Sequence, residues 1–231
     1  MEAKMKVETK VKEPKVWKKI ATATKLFIGG AVLAAGLMLV PGTARADSIE
    51  AMAGNKKTTL DIKATAQLTE KVGLYGRLRP SVDYTGTLDT FGLMDLYINM
   101  FGPVDFVVEG QLAGGQLTPR GGLQYFGKAG DFSLYTLLTF GLGEAKDIEH
   151  LTVLAYNPKF STVFGLLVRA ENITNFGKVG NNYTLQRLRL GLTADKFRVG
   201  GAMDLLELGN APNLGDGTFG WNAGGFGEVT F

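Results

Sequence analysis

From residue 57 onward the chain is a succession of runs, about 9 to 13 residues each, in which apolar and polar side chains alternate between short turn sequences. Alternation with period two puts every second side chain on the same face of a strand. No stretch of helical length carries apolar residues at i, i+3, i+4 and i+7, so the periodicity predicts an all-β chain. In one run Leu60, Ile62, Ala64, Ala66 and Leu68 alternate with Thr59, Asp61, Lys63, Thr65 and Gln67; in the next, Leu74, Leu78 and Val82 alternate with Tyr75, Arg77 and Arg79. The pattern recurs to the last residues, where Trp221, Ala223, Val229 and Phe231 oppose Asn222, Glu228 and Thr230.

A secreted β-sandwich would also alternate. Three features favour a membrane-spanning barrel over it. The runs are long enough for a tilted strand to cross a bilayer, whereas strands of soluble proteins usually have five or six residues. Tight links at Thr69–Lys71, Gly102-Pro103, Lys128–Gly130, Asn157–Lys159 and Asp195-Lys196 take turns with longer polar ones at Thr85–Leu88, Ala113–Thr118, Gly143–Asp147, Ile173–Asn182 and Gly209–Thr218. That matches short periplasmic turns and longer outer loops. With the tight turns at the bottom, Phe106, Tyr125, Phe132, Phe160, Phe197 and Phe231 fall near one rim of the oily face, and Tyr84, Phe140 and Trp221 near the other, as two aromatic girdles. The outward face reads as apolar throughout, with no polar break to mark a subunit interface.

The first 46 residues follow different rules. Eight lysines precede the uncharged run Leu26–Val40, and Ala44-Arg45-Ala46 then forms a small-residue cleavage site before Asp47. The apolar run is short for a membrane helix, and the arrangement is that of a secretory signal with a long basic start, in which Met5 is an alternative initiator. The pI near 9 belongs to this leader, which holds nine of the 25 basic residues. The remaining 185 residues carry a net charge of −3, so charge does not point to nucleic acid. With no Cys and one His, disulfide scaffolds, iron–sulfur clusters and Cys/His zinc sites are excluded, and no cofactor or metal is expected.

In its final run, ending at Phe231 with Val229 two residues earlier, the chain resembles bacterial outer-membrane β-barrels, whose last strand typically ends in Phe with aromatic or apolar residues at alternate positions. Gly225 and Gly227 depart from that pattern. The resemblance covers residues 57–231 and identifies the porin-like class of small barrels rather than an individual family. It implies an antiparallel transmembrane β-barrel in the outer membrane of a Gram-negative-type cell. Its lipids and, through Val229 and Phe231, the barrel-assembly machinery would be its partners. Ten strands are counted from Val72, and Thr58–Leu68 makes an eleventh. Because single-chain bacterial barrels have even strand numbers, Ser48–Gly54 is assigned as a short first strand, giving twelve; ten is the alternative.

Arg77, Arg79, Arg187 and Arg189 are expected to point inward near mid-height, with Arg169, Asp95, Glu109 and Asp204 around them. Guanidinium groups lining a watery constriction would favour small anionic solutes in a passive channel. Twelve-stranded channels for acidic sugars carry such arginine ladders, and this chain resembles them in size and pattern only. The same residues could instead pair with each other and knit the inner wall. A non-conducting structural or adhesive barrel needs no site at all. A lipid-modifying enzyme would need His150, expected inward near the outer end of its strand with Thr152 two residues on; no catalytic residue is assigned.

Overall fold

The computed structural model describes residues 43–113, 115–143, 146–178, 180–209 and 218–231. It contains β1 (Thr43–Gly54), β2 (Lys57–Gln67), β3 (Val72–Asp83), β4 (Leu88–Phe101), β5 (Val104–Ala113), β6 (Gln116–Ala129), β7 (Phe132–Gly141), β8 (Ile148–Tyr156), β9 (Phe164–Gly177), β10 (Gly180–Ala194), β11 (Phe197–Leu208) and β12 (Thr218–Thr230). Every strand pairs antiparallel with its sequence neighbours, and β1 pairs with β12 to close the barrel. Closure leaves no free edge, and it satisfies the backbone polar groups between strands, as lipid requires. The architecture is that of an outer-membrane β-barrel.

The strand count is twelve, and the first strand is longer than Ser48–Gly54. Thr43–Ala46 extend β1 by pairing with Ala64–Gln67, and the register shifts between Ala46 and Ser48. The closing ladder runs from Ser48↔Thr230 to Gly54↔Gly224. All of these closing pairs therefore lie beyond Ala46, where the leader is expected to end. The rest of that leader, residues 1–42, lies outside the described residues.

The outside is apolar over most of the wall, because alternate residues of each strand face away from the lumen. Leu123, Phe132, Phe140, Leu190, Phe197 and Trp221 are 45–62% exposed. Two expectations fail here. Connector lengths do not alternate cleanly: within the expected loops Ala113–Thr118 and Ile173–Asn182, residues 113, 116–118, 173–177 and 180–182 belong to strands, and the lower link at 157–163 is longer than Asn157–Lys159. In that link Phe160 and Ser161 leave the strand, their amides donating to the Phe164 carbonyl, while the Ser161 hydroxyl accepts from the amides of Val163 and Phe164. Polar Asn and Thr on both faces of the β9–β10 tips carry no apolar signal, so a sequence pattern reads them as loop.

The second failure is the phase of β8. Glu149 and Ala155 are buried inside, whereas His150 and Leu154 are exposed outside. His150 therefore points away from the lumen, contrary to expectation. Pairing sets the phase: Thr139 and Leu137, both buried, stand opposite Glu149 and Leu151. The outward face is consequently broken by polar residues near His150.

Inward glycines let neighbouring backbones approach. A Cβ on Gly122 of β6 would lie 2.0 Å from the Leu138 carbonyl oxygen on β7, whereas one on Gly76 of β3 would meet nothing within 4 Å. Gly122→Ala is expected to destabilise the barrel by about 1–3 kcal/mol, the usual range for overpacking, with Gly76→Ala close to neutral. Urea unfolding midpoints of the refolded variants check this.

Candidate functional site: an ionic layer beneath an outer vestibule

The lumen is crossed by a layer of paired charges. Arg77 on β3 binds Asp61 bidentately, its Nε and Nη2 donating at 2.9 and 2.7 Å, and reaches across the barrel to Glu171 on β9 at 2.8 Å. Arg187 donates from Nη1 to Asp61 at 2.8 Å and Glu171 at 3.1 Å, and from Nη2 to Glu50 at 3.1 Å. Arg189 bridges Glu50 and Asp204 at 2.9 and 2.8 Å. Arg169 holds Glu228 at 3.2 Å and also Glu50. Glu50, Asp61, Arg77, Glu171, Arg187, Arg189, Asp204 and Glu228 are each at most 8% exposed.

These contacts follow from the strands. Inward positions on β1, β2, β3 and β9–β12 place arginines and carboxylates at one height, and five strands lie between β3 and β9 either way round the closed order. The Arg77–Glu171 pair is therefore a spoke across the lumen. Charge-assisted, bidentate pairs are the strong class of hydrogen bond, and their mutual satisfaction is what makes so many buried charges tolerable. Met52, Leu167, Ala202 and Phe226 form an apolar cluster inside the same half of the barrel, with the Arg189 guanidinium 5.9 Å from the Phe226 ring centre.

The opposite wall is acidic. Asp95 and Glu109 stand directly across from each other on β4 and β5, 1% and 2% exposed. Arg120 approaches Glu109 at 3.5 Å and binds both oxygens of Asp147 at 3.0 and 2.9 Å. Asn175 donates to Asp147 at 2.6 Å, and Tyr183 donates to Glu149. In the connection before β8, burial pushes the Asp147 carboxyl up, but the Asn175 and Arg120 contacts outweigh it and hold the group below its ordinary value.

Above the layer, at the end away from the chain's Phe231, opens a cavity of about 510 Å³. Its wall divides by chemistry. Ile173, Leu185 and Leu206 stand side by side on β9–β11 and line it with apolar surface. Lys57 and Arg79 line it with positive charge, and Thr59, Gln111, Tyr183 and Asn222 add hydrogen-bonding groups. The Arg79 guanidinium lies 5.2 Å from the centre of the Phe91 ring. Among the described residues no carboxylate lies within ion-pair distance of Arg79, which sets it apart from Arg77, Arg169, Arg187 and Arg189.

His150 apart, the inward residues expected from sequence project into the lumen, but they separate into three groups. Arg77, Arg169, Arg187, Arg189 and Asp204 belong to the paired layer; Asp95 and Glu109 belong to the acidic wall; Arg79 belongs to the vestibule, whose floor Asp204 also touches. Sequence reasoning missed Glu50, Glu171 and Glu228 as partners of these arginines, and it missed the apolar wall. The available signal for that wall was an apolar residue in the inward phase, such as Leu185 two positions before Arg187. Val229 pairs with Ile49 on β1 and Phe197 on β11, and the Phe231 amide donates to the Asp47 carbonyl at 3.3 Å. His150 Nε2 contacts the hydroxyls of Thr136 and Thr152 at 3.0 and 3.1 Å on the outer surface.

No family model and no curated protein matches the chain. Among solved structures it is similar to OmpT (in-vitro folded), an outer membrane protein of Vibrio cholerae, at 10% identity and a TM-score of 0.36, over 81% of this chain and 95% of that one.

Proposed function

We propose that the chain is exported to a Gram-negative-type outer membrane, where it is a gated passage for small organic anions. Lipid covers its apolar outside, and the barrel-assembly machinery engages its last strand through Val229 and Phe231. Solute enters the vestibule and is held at Arg79 with its apolar part against Ile173, Leu185 and Leu206. It crosses only when the ionic layer below rearranges. Arg79 carries this reading: a cation partly withdrawn from water, stacked on Phe91 and without a carboxylate partner among the described residues, is a site for an incoming anion. The neighbouring Lys57 adds charge of the same sign.

The layer supports gating rather than open diffusion, because guanidinium–carboxylate pairs span the lumen where an open channel would hold water. Planar-bilayer recording of the refolded protein tests both parts. In potassium chloride alone it is expected to conduct little. Benzoate, an anion with an apolar ring, is expected to bind from the outer side and to lose most of that binding in Arg79→Ala. Binding unchanged by Arg79→Ala would remove the vestibule from the mechanism, and a large resting conductance would remove the gate.

A further inference from the structure

Two rows of polar side chains interrupt the apolar exterior of β7–β11. His150, Thr174, Thr184 and Glu207 are cross-strand neighbours over β8–β11. Thr136, Thr152, Asn172 and Gln186 are neighbours over β7–β10, one row nearer the chain termini. All eight face outward, since their sequence neighbours Leu137, Glu149, Glu171, Ile173 and Arg187 are buried in the lumen and Leu185 and Leu206 line the cavity. The band is not a loop surface. Phe140, Ile148 and Phe176, 40–48% exposed, lie above it, and Leu134, Leu154 and Leu188, 38–50% exposed, lie below.

Hydrogen-bonding groups facing lipid without partners are costly. The band satisfies part of its need internally: Thr136 and Thr152 meet His150, and Asn172 donates to Thr174 at 3.1 Å. The side chains of Gln186 and Glu207 have no such contact among the described residues. A surface of this kind calls for cover by other polar groups.

We infer that this wall is where two copies of the chain pair laterally in the membrane. The band contains no Lys or Arg, so it does not fit the phosphates of an anionic lipid headgroup, which such side chains recognise. Seven of the eight are hydroxyl, carboxamide or imidazole groups, which both donate and accept, and Glu207 accepts, so the band can pair with its counterpart on a second copy. Two copies inserted by one route share orientation and depth, which brings band against band at the same height in an isologous contact. Four strands about 4.8 Å apart, over nine residues, present roughly 570 Å² per copy, at the lower edge of specific interfaces.

The chain has no cysteine, so single cysteines report the contact directly. Asn172→Cys, in the band, and Met94→Cys, 59% exposed on β4 across the barrel, are refolded into phosphatidylcholine vesicles and oxidised. Asn172→Cys is expected to shift to the mass of a dimer, with Met94→Cys remaining a monomer. Adding Thr184→Val and Gln186→Leu to Asn172→Cys is expected to abolish the cross-link while the heat-modifiable migration of a folded barrel persists. Equal cross-linking at the two positions, none at either, or cross-linking at Asn172→Cys only when lipopolysaccharide is included would each overturn direct pairing. None of these outcomes depends on the vestibule or on conduction.

Discussion

Replacing Arg187 with Met lowers the unfolding free energy of the barrel by about 3–5 kcal/mol, the range for removing one partner of a buried charge network. Arg187 touches Glu50, Asp61 and Glu171 within 3.1 Å and approaches Asp204 at 3.5 Å, so one substitution strips compensation from four buried carboxylates. Arg77 and Arg189 still contact all four of these acids, two each, which keeps the barrel folded rather than abolishing it. Water then enters where the guanidinium stood. The variant is expected to conduct more than the parent in planar bilayers, with stability followed by urea titration in vesicles. An Arg187→Met protein as stable and as silent as the parent would show that the layer neither holds nor closes the lumen.

The second large effect is on the opposite wall. Arg120 lies beside Glu109 and Asp147, and its neighbourhood also holds Asp95 and Glu149. Arg120→Met leaves this acidic group without its cation and is expected to cost about 3–5 kcal/mol as well. Here the loss has a diagnostic remedy. Adding Glu109→Gln removes one of two carboxylates that face each other and should recover part of the stability, whereas the same change paired with Arg187→Met should recover none. A double-mutant cycle at Arg120 and Glu109 measures the coupling, and strict additivity would mean that charge is not what Arg120 supplies.

How much of this was legible in the sequence follows from which solvent each residue meets. Lipid imposes a uniform demand, so Leu188, Leu190 and Leu192 read correctly as the outer face of β10. The interior imposes no such rule once side chains fill it. Leu151, Val153 and Ala155 of β8 point inward beneath apolar and polar neighbours alike, while His150 and Thr152 point out, and local pattern assigns them the wrong way round. Arg77 and Arg79 look equivalent, two residues apart in one phase. Only the height of Asp61 and Glu171 makes the first a spoke of the layer and leaves the second to the vestibule. The decisive pairs join residues 94 to 139 positions apart, and no local spacing announces them.

The closing seam has one further consequence. Glu50 of β1 and Glu228 of β12 sit directly opposite each other, and Arg169 of β9 binds both. As the two ends of the sheet meet, they bring like charges together. Arg187 and Arg189 of β10 also bind Glu50, and Arg198 of β11 binds Glu228, so a seam that is unfavourable on its own becomes favourable through cations from three other strands. The barrel is thus fastened from within: its first and last strands lie together on charge supplied by the strands that precede the last.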